Sequence, residues 1–551
     1  MGSDSDSDSE SDPDGRGCDN SHAYQSSARV ACGMTDNLER ENAAPHPAII
    51  QGGMGIGVSN WTLARAVSRQ GQLGVVSGTA IDTVLVRRLQ DGDPGGHVRR
   101  AMAHFPIAGV SERVLERYFL PSGRRGNQRY AMLSMYRASV SLARQQVTVL
   151  ANFVEVWLAK EGHDGIVGMN LLTKVQMPNL ASLYGAMLAG VDYVLMGAGI
   201  PREIPGALDA LAQHEPATLK LDVENATDAA PVLLIFDPSK HWPSDDSSLR
   251  RSAPSVGVPQ VQHLDRSSLR RSAPSVGVPQ VQLRPLKRPR FLAIVSAHSL
   301  AATLARKATG RVDGFVVEGP TAGGHNAPPR GELQLTPEGE PLYGTRDVVD
   351  LAKMRELGLP FWLAGGTGTA DSVRAAREHG AAGVQVGTLF AYCDESGLAP
   401  RLRAEVIAGV AKGATRIRTD PRASPTGYPF KVVEVKGMAR QDDTRERVCD
   451  LGYLRTAYRT SSGRLDYRCP AEPTETYLAK GGRLEDTVGR RCLCNGLTAN
   501  IGLPQWRGAA GDELPLITSG DDLASILNLA NRRGGYGAAE VIAHLLGRAS
   551  S

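Results

Sequence analysis

Residues Asp313 to Gly331 read DGFVVEGPTAGGHNAPPRG. Gly314 to Val317 is a short apolar run of the kind that forms a parallel strand buried on both faces, and it passes directly into Glu318, Gly319, Gly323, Gly324 and His325. In a (β/α)8 barrel the carboxyl ends of the strands form the face that carries the chemistry, so this order puts a histidine on that face. Histidine titrates closest to neutrality, and the paired glycines let the backbone approach a flat ligand. Alone, the stretch also reads as a glycine-rich turn with a surface histidine.

Two further segments repeat its logic. Ala48 to Thr79, AIIQGGMGIGVSNWTLARAVSRQGQLGVVSGT, spells a strand, a glycine loop, an amphipathic helix and a second strand, one complete βαβ unit. Phe361 to Phe390, FWLAGGTGTADSVRAAREHGAAGVQVGTLF, does the same and closes on Gly387 and Thr388. Its turn, Gly365 to Thr369, opens a helix, where free N–H groups and the positive end of the helix dipole suit an anion. Phosphate binding by the loops after the last two strands recurs in this barrel. Working outward, strands are expected near 48–51, 73–77, 166–170, 193–196, 291–295, 314–317, 360–364 and 383–386, with helical patterns between them. The expected fold is a TIM (β/α)8 barrel. An extra helical region spans 82–160, and a hairpin is expected over 219–236.

These residues resemble the nitronate monooxygenase family, formerly the 2-nitropropane dioxygenases, which is related to flavin-dependent enoyl-acyl-carrier-protein reductases. The resemblance spans about 47–390 and is carried by IIQGGMGIGVS, GMNLL at Gly168 to Leu172, EGPTAGGH at Glu318 to His325, and LAGGTGTADSVRAAREHGAAGVQVGTLF. It implies noncovalent FMN in the barrel and oxidation of a nitronate or nitroalkane by oxygen to a carbonyl compound and nitrite. It further implies that Gly52, Gly53 and Met54 lie against the isoalloxazine, that Asn170 and Glu318 reach the flavin, and that Gly323 and Gly324 form a flavin-facing turn. Gly365 and Gly366 then make one wall of the phosphate site and Gly387 and Thr388 the other, with His325 as the catalytic histidine. Two departures stand out. Glu318 replaces the family's common glutamine and adds negative charge beside the flavin, and the stiff turn Asn326-Ala-Pro-Pro-Arg330 offers Arg330 to an anionic substrate group. The same site also suits an NAD(P)H- and FMN-dependent enoyl thioester reductase; the third reading is a non-catalytic interaction protein.

Composition is that of a large α/β enzyme: 551 residues, 41% hydrophobic. No apolar run is long enough to span a bilayer and no signal or transit pattern is evident, so a cytoplasmic protein is expected. The net charge of +4 hides a segregation. Residues 1–33 hold seven acids and two bases, whereas 247–290 hold nine bases and one acid, which leaves no basic stripe for nucleic acid on the body of the protein. The basic stretch is a duplication, SSLRRSAPSVGVPQVQ at 247–262 and again at 267–282. We therefore expect a disordered acidic tail over 1–40, an FMN-binding barrel over 41–413 with a disordered basic insertion at 241–290, and an α-rich accessory or lid region over 414–551. In that last region Cys449, Cys469, Cys492 and Cys494 lack the paired C-x-x-C knuckles of a zinc site, so free thiols are expected and no metal.

Overall fold

The computed structural model describes residues 46–226, 231–242, 283–438, 445–530 and 535–548. Residues 1–40 and 243–282, where the tail and most of the insertion were expected, lie outside the described residues. Pro47–Ser551 forms one compact unit.

Eight parallel strands make the barrel: β1 (Ile49–Gln51), β2 (Gly74–Ser77), β3 (Val167–Leu172), β4 (Tyr193–Gly197), β5 (Arg290–Val295), β6 (Gly314–Glu318), β7 (Phe361–Ala364) and β8 (Gly383–Val386). Each pairs with its sequence neighbour from β2 to β8, and β1 pairs with β8. The remaining seam between β1 and β2 is closed through Leu73, whose N–H donates to Ile49 O while Gln51 N–H donates to Leu73 O. All eight fall within about two residues of their expected positions, because each is a short, bilaterally buried apolar run between turn residues. Alternation then sorts the side chains. Ile50, Leu73, Val75, Tyr193, Leu195, Leu292, Val316 and Trp362 fill the barrel interior, whereas Phe291, Phe315 and Phe361 point out against the helices. Full burial of Trp362 and each of these side chains stabilises the fold by about 1.5–3 kcal/mol.

The surrounding helices follow their patterns. Trp61–Ser68 buries Leu63, Ala64 and Val67, and its N-cap Asn60 side chain accepts from Leu63 N–H. The extra region is helical, with Ile81–Gln90, His97–Met102, Val110–Tyr118 and the long Leu142–Lys160, which packs on Asn179–Leu188. The expected hairpin is present as Ala217–Lys220 paired antiparallel with Leu233–Phe236. One boundary needs correction. Residues 283–290, assigned to the basic insertion, are fastened to the barrel: Arg288 pairs with Asp209 and Asp313 at 2.6 and 2.7 Å, and Leu286 N–H donates to Ala212 O. Lys287 and Arg288 there meet Asp192, Asp209 and Asp313, of which Asp192 and Asp313 directly precede β4 and β6.

Beyond β8, Pro400–Ala411 is the last barrel helix. The chain then adds two antiparallel pairs in the region expected to be α-rich, Thr415–Asp420 with Phe430–Val435 and Thr456–Arg459 with Leu465–Arg468. It closes with two helices, Ala524–Ala530 and Ala538–Leu545. Among the described residues no helix is long and apolar enough to cross a membrane.

Candidate active site

At the carboxyl end of the barrel, one cavity is lined by Gly52, Gly53, Met54, Asn170, Glu318, Gly323, Gly324, His325, Gly365, Gly366, Gly387 and Thr388. Residues from five strand ends thus converge as expected. The loop after β1 is held by Gln51 and Ser59. Gln51 Oε1 accepts from Val75 N–H at 2.9 Å, its Nε2 donates to Ser59 Oγ, and Ser59 Oγ accepts from Met54 N–H and donates to Gly52 O. This network gives the glycine loop a single shape.

The reason for each glycine differs from the sequence expectation at two places. A Cβ on Gly53 would stand 2.1 Å from Asn170 Cβ, and one on Gly323 would stand 2.7 Å from the Ser519 backbone. Close packing within the protein therefore accounts for both, whereas a Cβ on Gly324, at φ +82°, meets nothing within 4 Å.

His325 follows β6 and is fixed from the accessory region. Its Nε2 lies 2.7 Å from Ser424 Oγ, and its ring stands edge-on to Phe430 with centroids 4.8 Å apart. Lys431 N–H donates to Gly324 O, Asn326 N–H to Pro429 O, and Gly324 N–H to Thr518 Oγ1. Farther along, Gly520 N–H donates to Thr388 Oγ1 and Asp521 N–H to Thr321 O. Segments 424–433 and 517–522 thus lie directly on the catalytic-face loops.

Burial depresses the His325 imidazole to about 4 and raises the Glu318 carboxyl to about 8. Both side chains are accordingly neutral at pH 7. For Glu318 this works against the expected consequence: at neutral pH the carboxyl is mostly protonated and has a proton to donate.

Arg330 is corrected. It does not line the cavity, and its guanidinium donates to Arg346 O at 2.6 Å and Ser296 O at 2.9 Å. The turn that carries it folds back on the 310 helix Thr345–Asp347, whose Asp347 side chain accepts from Arg330 N–H. That arginine is occupied in holding its own loop.

Sequence reading missed Gln385, Ser424, Ser519 and Asp522. Gln385 lines the cavity with its Oε1 buried and unpartnered, and the signal for it was a polar residue interrupting the apolar run GVQV. The others sit in polar stretches with no such signal. The lining contains no lysine or arginine. Cys393, Cys449, Cys469, Cys492 and Cys494 are free thiols, and among the described residues no group of three or more His, Cys, Asp or Glu is arranged to hold a metal ion.

The family model described as nitronate monooxygenase matches residues 255–445, the half of the barrel that carries His325 and the two phosphate-type loops. The chain resembles the nitronate monooxygenases. On that match the chain is an oxidoreductase. No curated protein matches this nitronate monooxygenase-like chain. Among solved structures, FabK from Thermotoga maritima is 15% identical, covers 94% of each chain and has a TM-score of 0.39. A nitroalkane oxidase from Streptomyces ansochromogenes is 14% identical, covers 91% of this chain and 95% of its own, and also scores 0.39. Likenesses this weak add nothing to the reading of the site.

Proposed function

We propose that this chain is an FMN-dependent oxidoreductase that oxidises nitronates or nitroalkanes with molecular oxygen, giving a carbonyl compound and nitrite. The observation that carries the reading is a neutral imidazole, His325, in one cavity with glycine loops from β1, β6, β7 and β8.

The residues present fit the cofactor. Backbone of Gly52 to Met54 and Gly324, with the Asn170 side chain, supplies a flat wall for a ring system. Gly365, Gly366, Gly387 and Thr388 supply the walls for a phosphate, whose charge is met by N–H donors because the lining has no cationic side chain. The orphaned Gln385 Oε1 supplies an acceptor for a ligand N–H or O–H. Bound there, FMN would take up the electron pair of the oxidation and return it to oxygen.

The chain's own part is positional and acid–base. His325 takes the α-proton of a nitroalkane, or orients the oxygens of a nitronate already formed. Neutral Glu318, in the same cavity, has a proton to offer a bound ligand. Segments 424–433 and 517–522 serve as a fixed cover that keeps water from the reacting atoms.

A neutral Glu318 also favours a second reading, enoyl thioester reduction, because that reaction needs a proton donor for carbon after hydride delivery. Anaerobic mixing separates the two. On the first reading the protein purifies yellow, a nitronate bleaches the flavin band, and NADH or NADPH does so slowly. Rapid bleaching by NADPH, with reoxidation by an enoyl thioester, moves the assignment to the reductase. A colourless protein that takes up no added FMN removes both.

A further inference from the structure

We propose that Ser424 is the positioning residue that fixes His325 as its Nε2–H tautomer, leaving Nδ1 as the atom that accepts the substrate proton. The inference rests on His325 as the base and deepens that reading.

The serine is well anchored. Ser424 is fully buried, its carbonyl accepts from Arg490 Nη1 at 2.5 Å, and neighbouring Ala423 N–H donates to Asp420 Oδ1. Its hydroxyl faces two partners, His325 Nε2 at 2.7 Å and Thr426 Oγ1 at 2.8 Å, and it also accepts from Thr426 N–H at 3.2 Å. A hydroxyl has one proton to give. If Ser424 gives it to Thr426, Nε2 must be the donor to Ser424 and Nδ1 keeps its lone pair. If Ser424 gives it to Nε2, the ring proton sits on Nδ1, which makes no hydrogen bond among the described residues. Only the first arrangement leaves a ring nitrogen with a free lone pair, as a base requires, so the proposed relay runs from His325 Nε2–H to Ser424 and from Ser424 to Thr426.

Two consequences for the substrate follow. Nε2 is engaged by the protein, so a proton can be received only at Nδ1. The orienting group is a neutral hydroxyl rather than a carboxylate, so it fixes the ring without stabilising an imidazolium in the way that a buried carboxylate does. The ring's other contacts are aromatic, Phe430 at 4.8 Å and Tyr428 at 6.5 Å between centroids. Such a base suits carbon acids whose anion is already stabilised, and among those an α-C–H beside a nitro group, in preference to simple ketones or esters.

The test uses the full-length, flavin-loaded protein labelled with 15N-histidine, the His325 signals being assigned by their loss in His325→Ala. Wild type is expected to show a protonated Nε2 and an unprotonated Nδ1. Ser424→Ala is expected to show averaged tautomers and to lose at least about tenfold in turnover of neutral nitroethane relative to preformed ethylnitronate, part of the 10²–10⁴ that a general base contributes. Ser424→Thr, which keeps the hydroxyl, is expected to restore both. An Nδ1–H tautomer in wild type overturns the proposal, as does an unchanged nitroethane-to-nitronate ratio in Ser424→Ala. If neither compound is turned over by wild type, the functional reading fails while the tautomer spectrum still judges Ser424.

Discussion

Gly387 and Gly366 stand on opposite walls of the same loop pair, yet they would answer substitution differently. Gly366 has φ +68°, where any side chain is strained, so its replacement confounds folding with binding. Gly387 has φ −104° and ψ −59°, and a Cβ there meets only the Met54 side chain, at 3.7 Å. Gly387→Asp is therefore expected to fold normally by circular dichroism and to purify without flavin, because a carboxylate would stand where backbone must meet phosphate; stoichiometric flavin in this variant would exclude that wall as the phosphate site. Glu318 gives a pH test. Its folded value of about 8 lies above the ordinary 4.5, so the folded state holds a proton that the unfolded state has lost, and stability falls as pH rises through that interval. His325 works the other way, since its folded value of about 4 lies below 6.5, and stability rises with pH across that range. The two offset one another below about pH 6.5, leaving Glu318 alone above it. Between pH 6.5 and 8 the thermal midpoint of the flavin-free wild type is expected to fall relative to that of Glu318→Gln, and parallel curves would show that Glu318 is already ionised. At this scale the sequence named glycines and a histidine that the fold brings to one cavity, but Gly53 and Gly323 serve internal packing that only neighbours distant in sequence reveal.

Among elements, the helices inserted between β2 and β3 meet the accessory region in several places, one of them a buried charged cluster. Asp82, at the start of Ile81–Gln90, pairs with Arg144 of Leu142–Lys160 at 2.8 Å and accepts from Thr148 Oγ1 and Tyr453 OH. Burial works against the charge of Asp82, but Arg144, Tyr453 and Thr148 together hold its carboxyl below the usual range. Removing one member leaves a buried guanidinium unpaired, so Asp82→Ala is expected to cost about 3–5 kcal/mol in urea unfolding; a loss under about 1 kcal/mol would mean that water or a rearranged neighbour satisfies Arg144. The eight strands and most helices were legible because their apolar periodicity is local. The pairing of Thr415–Asp420 with Phe430–Val435 was not, since TRIRTD alternates charge with modest apolar residues and finds its place only by its register against FKVVEV.

For the whole molecule, the site is assembled from residues as far apart as Gly52 and Asp522, and the matched segment 255–445 contains only part of it. The sequence by itself determined the barrel, the catalytic face and the loops that meet there, because apolar runs of strand length separated by glycine turns admit few other packings. Only the tertiary structure decided which distant groups surround those loops. It set Ser424 against His325, laid residues 517–522 on the loops after β6 and β8, surrounded Glu318 so that its carboxyl holds a proton more tightly, and turned Arg330 away to its own loop. Hydrogen bonds between segments a hundred residues apart, and the loss of solvent around a carboxyl or an imidazole, depend on the closed three-dimensional surface and leave no local pattern in the chain.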